Sequence, residues 1–144
     1  MRIDRSIEFP AVDVFINGRD LADMLREHET RFCGEEGLPD MAGSYRGWSP
    51  EFFADRFAEF MGALDPDSAE YYGDKTEVLT CLCGLPFCWP SLVRVDAALE
   101  EVRWSEFEQF RRRRKWTCDD FGPFVFDRRQ YEEALSNPIQ PASR

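Results

Sequence analysis

The chain has 144 residues, of which 43% are hydrophobic and 15% aromatic, including thirteen Phe and four Trp; this fits one domain with a real core and excludes intrinsic disorder. The formal net charge of −10 lies entirely in one half: residues 1–74 carry seven Arg against seventeen Asp or Glu, whereas residues 75–144 balance eleven Lys or Arg against eleven acids. Such an acidic half disfavours nucleic acid and anionic membrane, and suits either solubility or a protein partner with a basic surface.

The opening "MRIDRSIEFP" has no apolar stretch of the kind a signal peptide needs, and no run approaches the ~20 apolar residues of a membrane helix. The expected address is cytoplasmic, where five cysteines at irregular spacing read as thiols or ligands rather than disulfides. "SIEFPAVDVFING" reads as two short extended runs separated by Pro10, with Val12, Val14 and Ile16 alternating and Asn17-Gly18 turning the chain. A helix follows over 20–32, capped by Asp20, with Leu21, Leu25, His28 and Phe32 on one stripe. Residues 33–47 read as a Gly-rich loop.

A second helix is predicted over 50–61. Ser49 caps it, Pro50 takes the first position and Trp48 staples to Phe53, with Phe53, Phe57 and Phe60 as its buried stripe. "ALDPDSAEYYGDK" reads as an acidic loop. Three strands follow as an antiparallel meander over 76–108: "TEVLTCLC", "CWPSLVRVDA" and "EEVRWSEF". The link "AALE" makes the second hairpin, and a bulge near Ser105 brings Phe107 to the same face as Val102 and Trp104. The last helix is predicted over 128–136, with Asp127 as cap and Phe126 stapled to Tyr131. Residues 138–144 read as a frayed tail behind a single globular domain over 1–137.

The expected fold is thus α+β: a mainly antiparallel meander sheet packed against about three helices. Phe53, Phe57, Phe60, Val78, Val93, Val95, Val102 and Trp104 are its expected core.

The densest chemistry is "TCLCGLPFCWP", residues 80–90. Cys81 and Cys83 lie two apart, so they share a strand face. A four-residue loop, Gly84 to Phe87, sets Cys83 opposite Cys88 with Cα atoms about 4.5–5.5 Å apart, and Pro90 opposite Cys81 near a sheet edge. Leu82 and Trp89 then pair on the other face. Three sulfurs resemble part of a zinc site, which needs four N or S ligands, and Cys118, Cys33 or His28 would be the fourth. Small, readily buried thiols of a tight core are the first reading, and this zinc site and a Cys83–Cys88 redox pair are the alternatives to it.

His28, the single histidine, reads as half-buried on its helix, and "HETRF" lacks the second His of a zincin. No phosphate-binding or nucleophile-elbow motif occurs. Asp119-Asp120 and Asp65/Asp67 are ordinary carboxylate pairs, and "DPDS" has only part of a calcium loop's ligands. "RRRRK", residues 111–115, reads as an exposed run that pairs with the acidic half, with phosphate or RNA binding as the alternative.

"VLTCLCGLPFCWPSLVRV", "VRWSEFEQFRR" and "GPFVFDRRQYEEAL", with "VDVFINGRDLADMLREHE" before them, resemble a group of small uncharacterised bacterial proteins. That group shares C-x-C-G then C-W, W-S-x-F-x-Q and G-P-F-x-F-D-R-x-Q-Y segments, and the likeness runs from about Val12 to Leu135. The resemblance implies a bacterial cytoplasmic protein, carries over no catalytic residue, and does not include a cysteine at the Cys118 position. Two functions follow as expectations: a protein-binding module, regulatory or immunity-like, or a cysteine-cluster protein with structural zinc or a thiol-redox or enzymatic role.

Overall fold

The structure, a computed structural model, describes residues 2–5, 12–37, 41–49, 53, 55–83, 88–112 and 115–136. Its strands are β1 (Arg2–Arg5), β2 (Val12–Ile16), β3 (Arg19–Asp20), β4 (Tyr45–Arg46), β5 (Thr76–Cys81), β6 (Ser91–Ala97), β7 (Glu101–Gln109) and β8 (Phe124–Asp127). The helices are α1 (Leu21–Glu36), α2 (Phe57–Phe60), α3 (Pro66–Tyr72) and α4 (Arg128–Ser136). Strands β1-β2-β3 form one antiparallel sheet and β4-β5-β6-β7-β8 another. The α+β architecture with an antiparallel meander at its centre is the expected one. No helix among the described residues is long and apolar enough to cross a membrane.

Local chemistry explains most of the elements. Asn17 and Gly18 both take positive φ, 52° and 81°, which joins β2 to β3 in the tight turn that an Asn-Gly pair favours. The Asp20 carboxylate accepts from the amides of Ala22 and Asp23, capping α1. That helix runs four residues beyond the expected 20–32 and ends at Gly37, whose left-handed φ of 70° lets its N–H reach back to Cys33 and Gly34. Gly34 stays helical, and the left-handed cap falls at Gly37.

The buried face of α1 also differs from the expected stripe. Leu21, Leu25, Glu29 and Cys33 are buried at steps of four, whereas His28 and Phe32 sit at its margin. A carboxylate therefore occupies a core position, and its partners are described below.

In the second helical segment, the predicted start at Pro50 and Glu51 lies outside the described residues. The Phe53 N–H donates to Ser49 O at 2.9 Å, and α2 begins at Phe57. The break at Asp55–Arg56 rotates the apolar positions. Phe53 and Phe60 are buried, but Phe57, expected in the core, is 43% exposed. The acidic "loop" after it contains α3. Asp65 caps that helix by accepting from the Ser68 amide, and Pro66 opens it. "DPDS" is thus a helix start.

The meander carries the predicted bulge. Ser91 and Leu92 face Gln109 and Glu108, but Arg94 faces Ser105, so Val93 spans an extra residue at Glu106, whose φ is 54°. The slip lets Val102, Trp104, Phe107 and Gln109 all point inward. Ala98 N–H closes the second hairpin on Glu101 O. Two strands beyond the expected three widen the sheet. Residues 45–46 extend it beyond β5, and Phe124–Asp127 pairs with Glu101–Trp104 before α4 begins. Asp127 caps α4 through the Gln130 amide, and the Phe126 and Tyr131 rings stack at 5.4 Å. The tail expected at 138–144 lies outside the described residues.

One apolar core joins both sheets and α1, α2 and α4, from Val12 to Leu135. Trp104, fully buried, lies at its centre against Phe60, Phe107, Phe126 and Tyr131. Its indole N–H donates to Tyr131 Oη at 3.0 Å, and that hydroxyl donates to Phe60 O at 2.6 Å. Gly47, just after β4, packs directly on the backbone of Val12 in β2. A Cβ there would lie 1.7 Å from Val12 O, and the Val12 N–H donates to Trp48 O at 2.7 Å beside it.

Candidate metal centre at the end of the cysteine hairpin

The β5–β6 ladder ends at Leu79↔Ser91 after a shift at Val78, so Cys83 and Cys88 lie in turns beyond it rather than opposite each other in the ladder. Pro90 precedes the first ladder residue of β6, where its missing N–H costs no sheet bond. It does not face Cys81, and β6 is a central strand rather than an edge. Leu82 and Trp89 do not pair either: Leu82 is 58% exposed and Trp89 is buried.

The sulfurs nevertheless converge, with the Sγ atoms of Cys81, Cys83 and Cys88 all within 4.8 Å of one another. At a Zn–S bond of about 2.3 Å, the edge of a sulfur tetrahedron is about 3.8 Å. A small inward adjustment of the thiols therefore meets a common metal. Cys83 and Cys88 are exposed, while Cys81 is half-buried against the core. Burial pushes the Cys81 thiol up to about 11, and its thiol neighbours add to the rise against an opposing Cys83 amide. At neutral pH Cys81 is therefore protonated, and a metal would bind by displacing that proton.

Among the described residues, none of the three candidates for a fourth ligand joins the group. Cys33 is buried on α1. Cys118 is half-buried, and desolvation raises its thiol to about 12. His28 faces the opposite chain segment, with Nε2 at 2.7 Å from Thr117 O and Nδ1 at 3.8 Å from Asp120, and its ring packs on Phe32 and Phe121. Imidazole Nε2–H donating to a carbonyl is a structural role.

Behind the hairpin lies a polar network that the sequence reading missed. Glu29, 1% exposed, accepts from Gly43 N–H at 3.0 Å and from Tyr45 O–H at 2.5 Å. Gln109 Nε2 donates to Tyr45 Oη at 3.2 Å and to Pro90 O at 3.0 Å. Burial, the dominant cause, raises the Glu29 carboxyl from 4.5 to about 7 despite those two donors. The same burial, with Glu29 beside it, holds the Tyr45 phenol well above its ordinary value. The signal in the sequence was a carboxylate four residues after Leu25 on the apolar stripe.

The basic run is partly spent inside the molecule. Arg112 pairs with Glu36 at 3.3 Å and lies over the Trp89 ring, and Arg111 lies over Phe110. Arg113 and Arg114 lie outside the described residues. A cleft of about 350 Å³ opens between β7 and the segment 116–123. Lys75 and Glu108 in its wall neutralise each other at 2.8 Å, and none of the three clustered cysteines lines it. No protein-family model matches the chain, and comparisons with curated proteins and with solved structures find no match.

Proposed function

We propose that the protein binds a thiophilic metal ion, with Zn(II) or Cu(I) as the class, through Cys81, Cys83 and Cys88. The supporting observation is the convergence of three sulfurs within 4.8 Å at the surface. All-sulfur donors select soft or borderline cations over Mg(II) or Ca(II). A reducing, cytoplasmic location belongs to the proposal, because it keeps the thiols available. So does the resemblance to small bacterial proteins, whose C-x-C-G and C-W segments contain all three ligands.

The protein-binding reading ranks second. Of the first half's excess acids, Glu36 pairs with Arg112 of the second half and Glu29 lies in the core. That leaves less free charge for a basic partner, and a pull-down at low salt tests it.

The metal reading is tested by loading purified, reduced protein with Zn(II), removing excess and measuring bound metal. One ion per chain is expected for the native chain and none for the Cys81→Ser, Cys83→Ser, Cys88→Ser triple variant. Equal binding by both proteins, or none by the native chain, refutes it.

A further inference from the structure

We infer that a metal held by Cys81, Cys83 and Cys88 keeps one coordination position open and takes an external thiol there, which makes the centre exchangeable rather than structural. This rests on the metal-binding reading above and specifies how that site works.

Ligand count is the first argument. Structural zinc sites are closed by four protein donors, whereas sites with three keep a position for an outside ligand. The described residues supply three, and the linking residues Gly84, Leu85, Pro86 and Phe87 have no donor side chain. Access is the second. Cys83 and Cys88 are exposed, so an external donor can approach the sulfur cluster from solvent.

Independence of the fold is the third argument. Of the three, only Cys81 touches the apolar core. The two legs of the hairpin are held without a metal. Cys81 is ladder-paired with Tyr45, and Pro90 O accepts from Gln109 Nε2. A structural metal in a small domain supplies folding free energy, and here the core and these bonds already do so. A thiol is the matching external donor because the three protein donors are all sulfur and the bound ion is therefore thiophilic.

Co(II) in place of Zn(II) gives the readout, since its visible bands report donor number and type. The full chain loaded with one Co(II) is titrated with 2-mercaptoethanol and, separately, with imidazole. The expected result is a saturable change with the thiol, toward the spectrum of four sulfurs, at a stoichiometry of one. Metal removal by chelator should leave far-UV circular dichroism unchanged and lower Tm by less than about 4 °C, the effect of ~1 kcal/mol in a chain of this size. A thiol-insensitive spectrum, a response to imidazole alone, or unfolding on chelation overturns the inference while leaving metal binding intact. Failure of Co(II) and Zn(II) to bind at all overturns both.

Discussion

Glu29→Gln isolates the energetic consequence of a carboxylate in the core. The native carboxyl is 1% exposed and accepts two hydrogen bonds, yet its proton is held to about 7 against 4.5 for the free group. Below pH 4.5 both folded and unfolded chains carry the proton, and the stability from this group is fully present. As pH rises, the unfolded chain releases its proton first, so stability falls until the folded carboxyl also ionises near pH 7. At about 1.4 kcal/mol per pH unit the full loss is about 3 kcal/mol. About 2.5 kcal/mol of that falls between pH 5 and pH 8.5, which at a urea m-value of about 2 kcal/mol/M moves the unfolding midpoint down by about 1.3 M. The amide cannot ionise, so the variant should lose most of this dependence, while keeping only one of the two acceptor oxygens that Gly43 and Tyr45 use. Asp20 and Glu59, also raised by burial, leave a residual slope in the same sense. Urea titrations of both proteins with a chelator present make the measurement. Equal slopes for the two, or native stability that rises across this interval, would refute the reasoning.

Gly47→Ala should cost more than about 3 kcal/mol by urea unfolding, because its Cβ would lie 1.7 Å from Val12 O and force the sheets apart. Tyr131→Phe removes an acceptor for the Trp104 indole and a donor to Phe60 O without changing ring volume. Two buried groups lose their partner, and a loss of about 2–4 kcal/mol in chemical denaturation is expected. In metal-free native protein, a thiol reagent should modify Cys83 and Cys88 rapidly, and Cys33 only after denaturant is added. Mass mapping of the labelled peptides checks the order, and rapid labelling of Cys33 would contradict its burial.

Period and punctuation carried the fold. Asn17-Gly18, Asp20 and Asp127 act through their own backbone neighbours, so a sequence reading finds them without tertiary knowledge. The same holds for the bulge, because Val102, Trp104 and Phe107 cannot face one way in a regular strand. What escaped depends on distant partners. Tyr45–Arg46 becomes a strand only because residues 80–81 pair with it. Phe57 fits a helical stripe perfectly well in isolation, and the break at Asp55–Arg56 turns it to solvent. The role of Glu29 escaped because its two donors are supplied from fourteen and sixteen residues away.

The cysteine centre divides along the same line. Convergence of Cys81, Cys83 and Cys88 follows from close spacing around a tight reversal, and it survives even though the ladder register differs from the expected one. The support beneath it could not be read that way. Tyr45 pairs with Cys81 on one leg of the hairpin, Gln109 holds Pro90 O on the other, and the Tyr45 hydroxyl joins both to Glu29. Three separate elements, α1, β4 and β7, thus meet in one buried network whose two ends grip the two legs that present the thiols. This arrangement explains why a carboxylate that lowers stability near neutral pH occupies the core. Its two acceptor oxygens tie the Gly43–Tyr45 segment to α1, and an apolar residue at position 29 would leave the Tyr45 hydroxyl and the Gly43 amide without that acceptor. The thiols converge by local sequence, and a non-local polar network fixes the frame on which they converge.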